Sequence, residues 1–309
     1  MPGRACPAEC RSTGERALVR RIEQCPACEG RALTTVVRVD GERRERFVAY
    51  SQLKYGGIMD RWLDEIDLAI VRCASCSHHW YYQQPEPGQL MAMYDASRSF
   101  FGDVPISREP TDEMRRQMRS LRHLRAAHAS PLLLDYGSGY GRWARAACTE
   151  GFEVYAYEPS VTRGREPDAG FTVVHRIDEL EPRKFDIVNI EQVLEHVPDP
   201  LDVLREINGL CAPEAIVRIA VPNVLRCHEG RRIWDEWPFS GKRVHTMAPF
   251  EHLHGFTPAS LERVVKRAGF SLLSPLRTLR SDAMLPMRRL AGRIWPRLGH
   301  TLVLARVER

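Results

Sequence analysis

No window of the 309 residues approaches the length of a membrane span, and the most apolar run, Ala215 to Val221, is interrupted by Arg218. The first residues, Met1 to Arg21, carry charges and prolines but no apolar stretch of the kind a secretory leader needs. No internal repeat and no low-complexity tract is present, which argues against solenoid and fibrous architectures. A cytoplasmic protein is therefore expected. An excess of one charge sign is also missing: the net charge is only +5. Nor are the nine cysteines an even set. In a cytosolic chain disulfides are not expected, which leaves metal binding as the leading account of cysteines paired at short spacing.

What is present is the ordinary make-up of a globular protein, 43% hydrophobic and 28% charged, in a chain long enough for two domains. Charge becomes lopsided only from Leu261 to Arg309, with 11 Lys/Arg against 3 Asp/Glu. A solvated arginine-rich face accounts for this; the alternative is a surface for an anionic partner such as nucleic acid.

Composition divides the chain into zones. Residues 1–21 read as a disordered leader. Residues 22–84 hold Cys25-Pro26-Ala27-Cys28 and Cys73-Ala74-Ser75-Cys76, 44 residues apart, around strand-like stretches at Leu33–Val39 and Asp67–Arg72. Two such knuckles supply four thiolates, the tetrahedral set of a structural zinc, and a module this small needs such a staple. Free thiols or a redox pair are the alternatives. Cys6 and Cys10 pair more loosely; Cys148, Cys211 and Cys227 stand alone and read as packing residues. Pro85-Glu86-Pro87-Gly88 breaks the pattern. Residues 85–129 then read as a linker and helical lead-in, with a short helix at Gln89–Tyr94. Thr111 caps a longer one carrying Met114, Met118, Leu121 and Leu124.

From residue 130 to 309 strand and helix patterns alternate. Strands are predicted at Leu132–Asp135, Glu153–Glu158, Phe171–Val174, Phe185–Ile190, Ala215–Val221, Ser271–Leu273 and Thr301–Val307. Helices are predicted at Arg142–Glu150, Leu201–Leu210 and Pro258–Ala268, with weaker ones near Val161 and Glu191. Near-continuous apolar strands separated by helices imply an α/β fold: a doubly wound, mostly parallel seven-stranded sheet behind a small zinc-ribbon-like domain.

The strongest motif is Leu132-Leu133-Leu134-Asp135-Tyr136-Gly137-Ser138-Gly139-Tyr140-Gly141, running from a buried strand into a helix. The third glycine of a dinucleotide fingerprint should fall at residue 142, which is Arg142, so a diphosphate is not the expected ligand. Asp135 is placed instead to face a cationic or amine-bearing group. Glu158 ends the next strand, where a carboxylate accepts both hydroxyls of an unphosphorylated ribose.

In these features the chain resembles the class I S-adenosylmethionine-dependent methyltransferases, in particular the ubiquinone-biosynthesis and sugar methyltransferases. The resemblance extends through Phe185-Asp186-Ile187-Val188, Glu191-Gln192-Val193-Leu194-Glu195-His196-Val197-Pro198-Asp199-Pro200, Val221-Pro222-Asn223 and His254-Gly255-Phe256-Thr257-Pro258-Ala259-Ser260-Leu261 to Arg267-Ala268-Gly269-Phe270. It implies that Gly137, Ser138 and Gly139 meet the methionine portion of the cofactor, Glu158 the ribose, and Asp178 the neighbourhood of the adenine. Glu191 and Gln192 would line the methyl-transfer channel. Sugar and natural-product members of the family also carry an N-terminal zinc-binding domain. Two departures stand out. Ala212-Pro213-Glu214-Ala215 replaces a proline followed by two glycines, and Glu29-Gly30 and Ser77-His78 follow the knuckles where glycine is usual.

Methyl transfer from a sulfonium needs alignment first, and a base only where the acceptor must lose a proton. Glu251, His252 and His254 are the candidates, among His228, His245, Trp234, Trp237 and Phe239 in a segment placed to act as a substrate lid. No third ligand at helical spacing beside His252 and His254 argues for a metal there. Glu195 and His196 read as a turn-fixing pair. Three functions compete: methyl transfer to a small-molecule acceptor, methylation of RNA gripped by the zinc module and basic end, and a non-catalytic cofactor-binding scaffold.

Overall fold

The computed structural model describes residues 19–39, 41–64, 66–96, 107–125, 130–161, 170–225, 234–240, 243–274 and 300–308. Residues 1–18, the expected helix beyond Val161, Cys6, Cys10, Cys227, His228 and most of the basic C-terminal segment lie outside these.

The chain begins with β1 (Val19–Arg21) and β2 (Leu33–Arg38), followed by α1 (Gly41–Tyr55), the short α2 (Asp60–Leu63), β3 (Ala69–Cys73), β4 (His79–Tyr81) and β5 (Gln83–Pro85). Helices α3 (Pro87–Ala96) and α4 (Asp112–Leu124) lead into β6 (Leu132–Tyr136), α5 (Arg142–Thr149), β7 (Glu153–Tyr157), β8 (Thr172–Val174) and β9 (Phe185–Glu191). The remainder comprises α6 (Pro200–Leu210), β10 (Cys211–Pro222), the hairpin β11 (Phe239–Ser240) and β12 (Arg243–Val244), β13 (His254–Gly255), α7 (Pro258–Arg267), β14 (Phe270–Leu272) and β15 (His300–Val307).

Seven strands form the main sheet in the order β14-β15-β10-β9-β6-β7-β8, parallel except for β15, which runs antiparallel to both neighbours. Central β9 is buried from Phe185 to Ile190, as its unbroken apolar pattern requires. Local chemistry fixes the helix starts. The Thr111 hydroxyl accepts from Met114 N, Asp199 accepts from Leu201 N and Asp202 N ahead of Pro200, and Thr257 and Ser260 form a reciprocal cap on α7. Met118 and Leu121 of α4 are buried in one core with Leu133, Ala144 and Ala147, so α4 covers the sheet rather than linking two domains.

The N-terminal region is interlocked with that sheet rather than strung before it. Strand β1 pairs with β5, so Val19 to Arg21, inside the expected leader, belong to a two-stranded sheet. A four-stranded sheet runs β13-β4-β3-β2, with β13 contributed from beyond the main sheet's β10. Gly255 of β13 sits close against Val224 and Met247, since a Cβ there would lie 2.5 Å from the Val224 side chain and 2.8 Å from the Met247 sulfur. Cys25, Cys73, Cys76 and Trp80 share one core with Leu134, Val188 and Phe256.

Two local expectations fail. The weak helix expected near Glu191 does not form: residues 192–199 make turns and bends. Helix α1, unrecognised in the sequence, buries only Phe47, Ser51 and Tyr55, an i, i+4, i+8 stripe too sparse to stand out among charges. Where the family's glycine pair is missing, Glu214 takes a left-handed φ of 62° at an irregularity of β10, its carbonyl accepting from Arg125 and its carboxylate from Arg306.

Candidate functional site

The glycine turn lies where β6 meets α5. Gly137 takes φ 73°, and a Cβ there would overlap Val193 at 2.5 Å, so both the backbone and the space demand glycine. Gly137 N and Ser138 N both donate to Tyr157 O at the end of β7, bringing the turn beside Glu158. The buried Glu158 carboxylate accepts from Gly139 N at 2.9 Å, Ser160 N at 3.0 Å and the Tyr94 hydroxyl at 3.4 Å. Tyr94 thus brings α3 over this end of the sheet.

Asp135 is buried below the turn. Its Oδ1 accepts from Asn189 Nδ2 at 2.8 Å, while Oδ2 has no hydrogen-bond partner among the described residues. Burial pushes its carboxyl up to about 7, against smaller opposing effects of Asn189, the Ala144 backbone and Arg218. An orphaned acceptor beside a glycine cradle fits an ammonium-bearing ligand such as the methionine end of S-adenosylmethionine. The buried Arg218 that breaks the apolar run reaches Asn189 at 2.8 Å, Glu191 at 2.7 Å and Gln117 at 2.9 Å, and lies 4.2 Å over the Trp143 ring. Glu191 is thereby tied inward, whereas Gln192, with φ 52°, is exposed at the strand's end. Asp178 is exposed on the 3₁₀ turn Ile177–Leu180, with its carboxylate taken by the Arg176 guanidinium, which holds its pKa down.

The predicted bases separate. His254 is buried in β13, its Nδ1 3.2 Å from His78 Nε2, and burial drives its pKa down to about 3. Its ring packs against those of His78 at 5.3 Å and Phe256 at 6.3 Å. Glu251 receives the hydroxyls of Tyr50 and Tyr55, each at 2.9 Å, and the ammonium of Lys54. Burial would raise its pKa, but Lys54 and the three hydrogen bonds outweigh it and hold the carboxyl below its usual value. Through these contacts Glu251 ties α1 to the loop. His252 alone of the three meets His196. Its ring lies 4.6 Å from that of His196, edge to face, and its Nδ1 bonds Thr246 O. His196 Nδ1 bonds Glu251 O and its Nε2 lies 3.8 Å from Glu195 Oε1.

Glu195 departs from the turn-fixing reading. Its backbone carbonyl does the fixing, accepting from Leu253 N and His254 N. Its buried carboxylate has no hydrogen-bond partner among the described residues, and burial raises its pKa to about 8. Sequence spacing missed this cluster because its members lie on two turns 56 positions apart.

The four knuckle sulfurs converge within 4.8 Å, with Cys25–Cys76 and Cys28–Cys73 each 3.5 Å apart. Thiolates ~2.3 Å from one zinc in a tetrahedron lie ~3.8 Å apart, so this donor set fits that ion. Glu29 and Ser77 take φ 61° and 59°, so both knuckles make the left-handed turn glycine favours although neither has glycine there.

Residues 111–274 match the family model described as a methyltransferase domain. A ubiquinone biosynthesis O-methyltransferase of Pseudomonas paraeruginosa is 31% identical over 110 residues, covering 32% of this chain and 47% of the relative. Its counterpart in Actinobacillus pleuropneumoniae is 26% identical over 106 residues, covering 29% and 45%. The chain spans about half the length of these curated relatives. Among solved structures, the Burkholderia thailandensis 1,6-didemethyltoxoflavin-N1-methyltransferase, with bound 1,6-didemethyltoxoflavin and S-adenosylhomocysteine, is 19% identical with a TM-score of 0.41. That match covers 63% of this chain and 79% of the other. The Haemonchus contortus phosphoethanolamine N-methyltransferase 2 in complex with S-adenosyl-L-methionine is 18% identical with a TM-score of 0.43, covering 67% and 55%. With more than half its length matched by the methyltransferase domain, and the glycine turn where that fold requires it, the chain belongs to the class I S-adenosylmethionine-dependent methyltransferases.

Proposed function

We propose that this enzyme methylates a hydroxyl oxygen of a small ring-bearing acceptor: a sugar, a nucleotide-linked sugar or a natural-product scaffold. The observation that carries this reading is the wall of rings where α1 and residues 234–252 meet. Tyr50 packs edge-on to Phe239 at 5.5 Å, and Trp234 bridges His79 at 5.6 Å and His245 at 5.1 Å. Such a surface suits a planar or ring-shaped molecule. The names of the curated O-methyltransferases support oxygen as the acceptor atom.

In this reading Gly137, Ser138 and Gly139 cradle the methionine portion, Asp135 Oδ2 receives its ammonium and Glu158 holds the ribose diol. Bound S-adenosylmethionine supplies an electrophilic methyl group on a sulfonium. Gln192, at the end of β9, lies on the transfer path. With the acceptor hydroxyl held in line with the methyl group, its proton would pass to the His196–His252 side. Cys25, Cys28, Cys73 and Cys76 hold a structural zinc that fixes the module bearing α1.

The test is calorimetric titration of S-adenosylmethionine and S-adenosylhomocysteine into zinc-loaded protein, with Glu158→Ala as control, followed by methyl-transfer assays on sugars, phenols and RNA. Binding that weakens at least tenfold in the control, with transfer to a sugar or phenol, is expected. Absence of binding to folded protein, or salt-sensitive transfer confined to RNA, defeats the reading.

A further inference from the structure

A buried polar row crosses the apolar sheet beside the glycine turn. Parallel pairing sets Asp135 of β6 against Asn189 of β9, and Asn189 against Arg218 of β10. All three side chains are buried. Two residues back on the same strands and the same face, the row Leu133, Ile187 and Ile216 is apolar and packs under α4 and α5. Apolar residues would pack the Asp135 row equally well, and burying a guanidinium and a carboxylate is costly. The hydrogen bonds across the row all run one way. A guanidinium only donates. Arg218 Nη1 donates to Asn189 Oδ1 at 2.8 Å and to Glu191 Oε2 at 2.7 Å, and its Nε donates to Gln117 Oε1 of α4 at 2.9 Å. With its oxygen so taken, the Asn189 amide turns Nδ2 to Asp135 and donates to Oδ1 at 2.8 Å. Asp135 is thereby held as an acceptor, and its Oδ2 has no partner among the described residues.

We propose that Arg218 is a positioning residue for the cofactor: as the donor-only end of this row it fixes the Asn189 amide, and so aims the free oxygen of Asp135 at the ligand's amino group. This rests on the reading of Asp135 as the acceptor of that ammonium. Charge acts in the same sense as geometry. Burial and, more weakly, Glu191 raise the Asp135 carboxyl, while Asn189, the Ala144 backbone and Arg218 lower it, leaving it at about 7. Burial keeps Cys148 of α5, the remaining ionisable neighbour, a neutral thiol. Holding an ammonium needs the ionised carboxylate, so ligand affinity rises as pH passes through that value. Loss of Arg218 moves the rise to higher pH.

Two ligands separate this role from general damage. S-adenosylhomocysteine carries the amino group, whereas methylthioadenosine keeps the adenosine and the thioether without it. Both are titrated calorimetrically into zinc-loaded full-length protein from pH ~6 to pH ~9. In Arg218→Met, S-adenosylhomocysteine should bind on the order of tenfold more weakly near neutral pH and recover as pH rises, with methylthioadenosine affinity within about twofold of wild type. Arg218→Lys, which keeps a charged donor, should restore most of the affinity. Asn189→Leu should repeat the loss, and the double variant with Arg218→Met should lose no more than either alone, as members of one relay do. Should Arg218→Met unfold, Asn189→Leu and Arg218→Gln carry the comparison. Equal weakening of both ligands, an unmoved pH profile or fully additive losses overturns the proposal. Weakened S-adenosylhomocysteine binding in Asp135→Asn without any loss in folded Arg218→Met overturns it alone, while undiminished binding in Asp135→Asn defeats the ammonium reading and the proposal with it.

Discussion

The two ends of the candidate site are built in different ways. The cofactor end is made from neighbours in sequence. Asp135, Gly137, Ser138 and Gly139 lie on one turn, and Glu158 arrives from the adjacent strand, so parallel pairing of β6 with β7 suffices to assemble it. The acceptor end is drawn from three distant segments: Tyr50, Lys54 and Tyr55 on α1, Glu195 and His196 after β9, and residues 234–252 before β13. The first depends on backbone conformation, the second on how the N-terminal module is seated. A constellation of the first kind tolerates few substitutions but needs little tertiary support; one of the second kind fails whenever its scaffold shifts.

The sharpest way to break this contrast is to unseat the module. Cys73→Ser, or zinc removal by a chelator, should abolish cooperative folding of the N-terminal region, since a structural zinc site contributes ~10 kcal/mol or more. The shared core extends the damage to the sheet, so one thermal transition at a much lower temperature is expected; a native-like melt of the zinc-free chain would show that the module is dispensable. Gly137→Ala attacks the other end. The left-handed φ and the 2.5 Å approach to Val193 together cost roughly 2–4 kcal/mol. Cofactor affinity should then fall about a hundredfold in calorimetry while the zinc content stays at one per cysteine cluster.

Glu251→Gln separates the two ends directly. It removes the charge that Lys54 pairs with and weakens the seating of α1, so kcat/KM should drop about tenfold with the cofactor Kd unchanged. A parallel loss of cofactor binding would mean that the two ends are not independent.

Protonation gives a subtler comparison. Asp135, with a folded pKa of about 7 against the usual 3.8, binds its proton more tightly in the fold than in the unfolded chain. It therefore contributes stability below pH ~4 that is lost as pH rises through 7. Chemical denaturation of the ligand-free protein across pH 4–8 should show this decline, and Asp135→Asn should flatten it. The smallest effect is expected at a knuckle. Ser77→Gly relieves a left-handed residue and should raise stability by about 1 kcal/mol, read from the denaturation midpoint.

Much of this was legible in the chain itself. Alternating apolar strands and capped helices placed all seven strands of the main sheet to within a few residues, because each signal is local: burial of β9, the Thr111 and Asp199 caps, the proline starts of α6 and α7. The same holds for the two knuckles, whose donors converge as their spacing suggested. Helix α1 escaped because three buried positions in 15 residues leave a weak stripe, and the turn at residues 192–199 because its apolar residues imitate a helical face. Asp178 pairs with Arg176 on an exposed turn, a contact between close neighbours that no periodicity signals.

The histidines mark the division. Residues two apart in an extended segment share a face, so the local pattern alone could not part His252 from His254. Only tertiary structure decided their fates, burying His254 against His78 when β13 joined β4 and bringing His252 to His196 and Glu195 across 56 positions. Backbone conformation and hydrophobic period act over a few residues and can be read in order along a chain. A cluster of polar side chains from separate turns exists only once the strands between them have paired and the module beside them has docked.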